Sequence, residues 1–298
     1  MTAPSTTTER AAAQRSRDDQ REHEREAVAA HYQEDPEIFR LVLGRQRAYS
    51  VGVFDGDHDD LERAQDHKLA RLRGLLALPE GARVLDVGCG WGSVVADLAE
   101  HTGAQIRGIT LSARQRAVTL ERVRALGAED RVRIDVAHLA DLELPPASVD
   151  AIVFSGSIVH MHDRAAVHAA VGRWLAPGGR LLISDCYFPR AARGDRESRA
   201  TEHIFVTALG YCRLVHLSEE LAWMEAAGID VAHLEDWTEH YVRTVDRWID
   251  NVRAHRAEID ARSPGFARLL QTYMLVGRMS FARRSALEYV ILGRKGGA

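Results

Sequence analysis

The stretch that most constrains the fold is Val84-Leu85-Asp86-Val87-Gly88-Cys89-Gly90-Trp91-Gly92. An apolar run passes directly into three glycines at alternate positions. This suits a buried strand that turns sharply into a helix and leaves bare backbone for a ligand to approach. In an open α/β sheet, ligands sit beyond the carboxyl ends of the strands, at such a crevice. The spacing is Gly-x-Gly-x-Gly, not the Gly-x-Gly-x-x-Gly that sets a pyrophosphate on a helix N-terminus, and no Gly-Lys-Ser/Thr follows. Asp86, two residues before the first glycine, is expected at the site entrance, where it would repel a pyrophosphate and suit a ligand carrying an ammonium.

The flanking pattern supports a strand–helix alternation. Strands are expected at Arg83–Val87, Gln105–Ile109, Val132–Val136, Ala151–Phe154 and Arg180–Ser184. Helices are expected at 61–77, 91–100, 112–126 and 164–175, with Ser112 and Asp163 as caps. Pro177-Gly178-Gly179 ends the last of these. Such alternation implies right-handed crossovers and a mainly parallel sheet with helices on both faces, a Rossmann-like α/β fold. Further on, a strand at Val231–Leu234, helices over 240–257 and 263–279 and a strand at Leu287–Leu292 complete the domain. Residues 190–225 break the rhythm and read as an inserted helical cap.

The ends and the composition bound the rest. Residues 1–30 form a polar tail and helix, and the main domain runs over 31–298. Asp18 with Arg21, and Glu22 with Arg25, are opposite charges three apart. Two readings stay open for this helix: a solvated surface helix or an arm that joins copies into a homo-oligomer. A net charge of −4 offers no basic field for a nucleic acid. No long apolar run suggests a membrane span, and no signal peptide is evident. Three widely spaced cysteines, Cys89, Cys186 and Cys212, suggest neither a disulfide framework nor a zinc site, which fits a reducing cytoplasm. No metal is expected, since His160 and His162 lack further ligands.

The acid and the glycine turn together point to S-adenosylmethionine, which carries an amino group and a sulfonium. Beyond them, the pieces His31-Tyr32, Phe39-Arg40-Leu41, Tyr49-Ser50, Leu61-Glu62 with Ala64-Gln65 and Lys68, Gly108-Ile109-Thr110-Leu111-Ser112, Gln115, His240-Tyr241, Thr244 and Trp248 follow in order. On these the sequence resembles class I methyltransferases, and within them the cyclopropane fatty acid synthase group, from about His31 to the C-terminus. The resemblance implies that Tyr49 and Ser50 contact the methionine part of the cofactor and that Gly88 and Gly90 lie against it. It also implies that Thr110, Leu111 and Gln115 hold the ribose and adenine side. Ala137, His138 and Ser155 join this cofactor set. His138 would bond or stack beside the adenine, or is an ordinary loop histidine.

Two departures bear on the chemistry. The group is thought to hold a bicarbonate base with a Cys after the Tyr-Ser pair and a Glu before a His. Here those positions are Val51 and Val159, while His160 and Tyr241 survive. An anion site stripped of a thiol and a carboxylate argues against cyclopropanation and for simple methyl transfer. The expected function is therefore C-methylation of an apolar small molecule in secondary metabolism: an isoprenoid, polyketide or fatty acyl chain. N- or O-methylation, or a cofactor-binding cyclase without methyl transfer, stand as alternatives. His160, Tyr241 and Tyr49 are the candidate catalytic residues. His160 is either a base or a packing residue. The substrate pocket is expected between the cap and residues 30–54, with Tyr32, Phe39, Tyr49, Phe54, Tyr187, Phe188, Phe205, Tyr211 and Tyr241 available. Core packing is the expected role of most of these, with Tyr49 and Tyr241 the exceptions.

Overall fold

The computed structural model describes residues 34–56, 60–189 and 212–297, together with Glu22, Glu26 and His203. Most of the polar N-terminal tail and helix, Tyr32, Phe205, Tyr211 and most of the expected cap lie outside the described residues.

Seven strands form one sheet: β1 Arg83–Val87, β2 Gln105–Thr110, β3 Val132–Val136, β4 Val149–Ser155, β5 Leu175–Tyr187, β6 Ile229–Asp236 and β7 Leu287–Lys295. Their order is β3-β2-β1-β4-β5-β7-β6. The first five pair in parallel, and β7 runs antiparallel between β5 and β6. The central strands β1 and β4 are buried along nearly their whole length. That explains their continuous apolar sequence, since helices cover both faces.

On one face, α2 (Leu61–Leu76), α3 (Ser93–His101) and α4 (Ala113–Ala125) enclose Leu72, Val84, Val95, Leu98 and Ile106. On the other, α5 (Arg164–Trp174) and α6 (Leu217–Ala226) pack Val171, Trp174 and Met224 against Leu85, Ile152 and Leu181. The sequence explains where these helices begin. Asp60 accepts from the Arg63 amide at 2.9 Å, Ser112 from the Gln115 amide at 3.3 Å, and Asp163 from the Ala166 amide at 3.0 Å. Each is a short polar side chain satisfying one orphan donor of a first turn. A buried charge cluster ties α5 to α6. Arg164 Nη1 lies 2.7 Å from Glu220 Oε2 and His168 Nε2 2.6 Å from Glu220 Oε1, all three side chains closed to solvent.

One expectation needs correction. Strand β5 begins at Leu175, five residues before the expected start, and carries Pro177-Gly178-Gly179 within a register irregularity opposite β4. A proline fits such an interruption because no ladder donor is required of it there. Of the segment expected to form a cap, the described residues include α6, a face helix that leads into β6. Among the described residues, a wall over the carboxyl ends of the strands is built by α1 (Pro36–Leu43), α7 (Thr238–Ala254), α8 (Arg256–Arg262) and α9 (Phe266–Ala282). Phe39, Trp91, Trp248, Ile249 and Met274 share one buried cluster there.

Candidate active site

Strand β1 ends as expected, and the turn that follows shows why glycine is used. Gly88 has φ +73°, and a Cβ there would stand 2.5 Å from Ser157 Cβ. At Gly90, φ +52°, a Cβ would meet nothing nearer than 3.9 Å, so bare backbone faces open space. Two adjoining cavities share Gly88, Gly90, Gln115 and Gly156. The first is lined also by Thr110, Leu111, Ala137 and His138, the second by Tyr49, Ser50, Asp86 and Ser155. Every residue assigned to the cofactor from sequence thus faces one of these two spaces.

Their polar groups are held by their own network. Thr110 Oγ1 donates to Gln115 Oε1 at 2.6 Å and accepts from the Ser112 amide at 3.2 Å. Ser112 caps α4, but Gln115 turns to Thr110 instead of completing a capping box. His138 Nδ1 accepts from the Ala140 amide at 3.1 Å. Its ring is therefore held as the cap of a short turn, Leu139–Asp141, with the edge of the cavity beside it.

Asp86 is not at an entrance. It is 1% exposed, on the floor beneath the glycine turn, and its Oδ2 is buried without a hydrogen-bond partner. Burial pushes the carboxyl up to about 7, partly opposed by the nearby Lys68 ammonium. An orphaned buried carboxylate oxygen is costly unless a ligand pairs with it. An amino acid ammonium matches that unpaired oxygen in charge and in hydrogen bonding, and open space over Gly90 accommodates the rest of such a ligand.

The loop carrying Tyr49 and Ser50 is bolted down from two sides. Lys68 Nζ donates to Ser50 Oγ at 2.9 Å and Gln65 Nε2 to the Ser50 carbonyl at 3.0 Å. From α7, Thr244 Oγ1 accepts from the Gly52 amide at 2.9 Å, and His240 Nδ1 accepts from the Phe54 amide at 3.2 Å. Burial, with Arg243 adding like charge, lowers the pKa of His240, which favours the neutral ring that can accept. These contacts give Gln65, Lys68, His240 and Thr244 a shared job that spacing alone did not reveal.

A third cavity meets the other two at Tyr49, Ser50, Gly156 and His160. Its walls are Tyr241, Val245 and Trp248 from α7, Tyr273, Met274 and Phe281 from α9, and Val159, Asp185, Cys186, Cys212 and Glu288 at the sheet's edge. The Tyr241 ring lies 4.2 Å from Phe281 and 6.0 Å from Trp248, and Tyr49 lies 5.3 Å from Trp248, between centroids. Burial pushes the Tyr49 phenol up to about 12 and Tyr241 well above its ordinary value, so both are neutral at physiological pH. His160 ends a short turn, Ile158–His160. Asp185 Oδ2 accepts from the Ile158 and Val159 amides at 2.9 and 3.3 Å, and Ser157 Oγ donates to the Val87 carbonyl at 2.5 Å. His162 faces away, into a separate cleft beside α5.

The expected aromatic lining is narrowed accordingly. Phe39 packs on Trp91 at 5.0 Å, Phe54 lies under the Arg243 guanidinium at 4.2 Å, and Tyr187 belongs to the core. Phe188 belongs to a small cluster behind the cavity, with Val159 and Cys186. Trp248 was named only as part of a motif. Tyr273, Phe281, Asp185 and Glu288 were missed. The available signal for the last two was an acid inside an otherwise apolar strand run, Ile183-Ser184-Asp185-Cys186 and Leu287-Glu288-Tyr289-Val290.

The sheet order with its antiparallel β7, and a ligand cavity floored by Asp86 and the glycine turn, define a class I methyltransferase fold. The profile described as mycolic acid cyclopropane synthetase matches residues 19–289, and the chain belongs to that family. It is an S-adenosylmethionine-dependent methyltransferase. It is 35% identical to Methyltransferase GfsG of Streptomyces halstedii over 71% of this chain and 76% of that protein. It is 30% identical to 27-O-demethylrifamycin SV methyltransferase of Amycolatopsis mediterranei, over 81% of this chain and 87% of that one. The fold matches that of the mycolic acid cyclopropane synthase CmaA1 complexed with SAH and CTAB, with a TM-score of 0.84 at 24% identity. That match covers 91% of this chain and 98% of that one.

Proposed function

We propose that the protein transfers a methyl group to carbon of an apolar small molecule, an isoprenoid, polyketide or fatty acyl chain. The observation that carries this reading is the junction at Tyr49, Ser50, Gly156 and His160, where an aromatic cavity opens onto the cofactor cavities. Asp86 would take the cofactor's ammonium. Ser50, held by Lys68, and Gly88 with Gly90 would cradle its amino acid part. Thr110, Leu111, Gln115, Ala137 and His138 would face the nucleoside, and Ser155 would close the floor. The bound cofactor supplies a reactive methyl sulfonium, so the chain's own task is alignment and the exclusion of water. Tyr49, Tyr241 and Trp248 would present aromatic faces to an electron-poor carbon.

A second reading is O-methylation, favoured by the name of the rifamycin relative. His160 would then be the base for a hydroxyl proton. All three cysteines are buried and outside any disulfide, which suits a reducing compartment, in line with a cytoplasmic enzyme. Incubation with methyl-labelled S-adenosylmethionine and a panel of oleic acid, geraniol and a 2-alkenyl thioester tests the choice. Label on carbon supports the first reading, and label on oxygen the second. Stoichiometric cyclisation without S-adenosylhomocysteine overturns both.

A further inference from the structure

In the β5–β7 pairing Glu288 stands opposite Cys186. Its side chain is 1% exposed and faces the aromatic cavity, not the two cofactor cavities. Ser184 Oγ donates to Oε1 at 2.9 Å and Cys186 Sγ to Oε2 at 3.2 Å. Both donors belong to the neighbouring strand, so the carboxyl is fixed in direction. Its partners are a hydroxyl and a thiol rather than a cation. A carboxyl so placed costs stability that an apolar residue would not. Buried carboxyls in a cleft next to a reaction centre mark functional sites.

The chemistry asks for such a group. When an alkene takes a methyl group, the neighbouring carbon is left electron-poor, and a proton must leave. The base must reach the acceptor but stay clear of the sulfonium, which would otherwise methylate it. Tyr49 and Tyr241, as neutral phenols, are poor proton acceptors. Glu288 meets both demands, because it borders only the acceptor cavity.

We propose that Glu288 is the proton acceptor of carbon methylation, and that the acceptor is an alkene which leaves as a methylated alkene. This rests on the carbon-methylation reading above. The acceptor's π pair forms the new carbon–carbon bond as the methyl–sulfur bond breaks, its pair remaining on sulfur as a neutral thioether. An adjacent C–H bond then gives its proton to Glu288 and its electron pair to a new double bond. Glu288, now a carboxylic acid, returns the proton to solvent. The groups facing it are Ser184, Asp185 and Cys186 on β5, Lys68 on α2 and Tyr241 on α7. Burial, reinforced by Asp185, pushes the carboxyl up to about 8, while its two donors and Lys68 oppose the rise. Turnover should therefore climb as pH approaches about 8.

The test uses the full chain with methyl-labelled S-adenosylmethionine and the three acceptors named above. In Glu288→Gln, transfer should fall roughly 100- to 10,000-fold, the range for loss of a positioned base. The pH dependence near 8 should vanish, and S-adenosylhomocysteine affinity by calorimetry should stay within about twofold. Glu288→Asp should recover part of the rate with a displaced pH limb. Proton magnetic resonance of the product should show alkene protons and no cyclopropane signals. Carbon methylation by Glu288→Gln at wild-type rate, with the same pH profile, overturns the proposal alone. If the Gln variant melts early, an Asp variant with wild-type rate and profile does the same. Wild-type enzyme that binds S-adenosylhomocysteine but labels only oxygen, or none of the acceptors, overturns the carbon-methylation reading and the role of Glu288 with it.

Discussion

The Lys68 amino group lies 2.9 Å from the Ser50 hydroxyl, and both residues are buried. One buried cation thus supports the loop that lines the cavity beside the glycine turn and lies close enough to Asp86 to hold its pKa down. Lys68 is itself lowered to about 8 by burial, against the pull of Glu288, Asp86 and Asp97. Site geometry and site charge are coupled through this residue.

Replacing Lys68 with Met should separate those two effects. Without the cation, the Asp86 carboxyl rises further, so fewer molecules carry the carboxylate at neutral pH. S-Adenosylhomocysteine affinity measured by calorimetry at pH 7 should drop about tenfold or more, the scale of a hydrogen bond to a charged group. Part of the loss should return at pH 9, where Asp86 is ionised regardless. A purely structural role for Lys68 would show the same loss at both pH values.

Asp86→Asn should act more directly. An amide cannot pair in charge with the ligand's ammonium, and the loss should be about 1.5–3 kcal/mol, or roughly 10- to 150-fold in affinity. Wild-type affinity should weaken as pH falls below about 7, because the carboxylate is then protonated. The Asn variant should lack that dependence. The sign reverses for the ligand-free fold. A carboxyl raised from 3.8 to about 7 contributes stability that is complete below 3.8 and lost as pH rises through about 7. Denaturant unfolding of the Asn variant should show a flatter pH dependence over that interval.

Glu220→Gln should destabilise without touching the site. Its carboxylate holds Arg164 at 2.7 Å and His168 at 2.6 Å in a closed interior. Removing it leaves a buried guanidinium without its counter-charge, at a cost of about 3–5 kcal/mol. Urea midpoints should fall accordingly, while S-adenosylhomocysteine binding to the folded fraction stays unchanged.

What could be read from the sequence was local. The bounds of β1, Arg83–Val87, follow from an apolar run that ends in glycine, and the caps Ser112 and Asp163 follow from short polar side chains before helical periodicity. Most of the residues lining the two cavities at the glycine turn were legible because they lie at or just beyond the carboxyl ends of β1, β2, β3 and β4, where chain order fixes position, whereas Tyr49 and Ser50, which precede β1, were named only through the family resemblance. The aromatic cavity was legible only at Tyr49, His160 and Tyr241. Its walls come from α7 and α9, more than a hundred residues beyond the glycine turn, and only packing brings Trp248 and Phe281 to Tyr49. Asp86 was expected at an opening and stands on a buried floor, because the strand that carries it is covered on both faces. Glu288 escaped notice because a single acid in a strand carries no periodic signal. It takes the register of β7 on β5 to set it over Cys186.

The most direct measurement is a crystal structure of the enzyme with S-adenosylhomocysteine bound. The ligand's ammonium should contact Asp86 and its adenosine should lie along Thr110, Gln115 and His138. Its sulfur should sit at the junction of Tyr49, Ser50 and Gly156 and point at the cavity lined by Tyr241 and Glu288. A ligand whose amino group leaves Asp86 unpaired, or whose sulfur faces solvent instead of that cavity, would contradict the reading of this chain as a carbon methyltransferase.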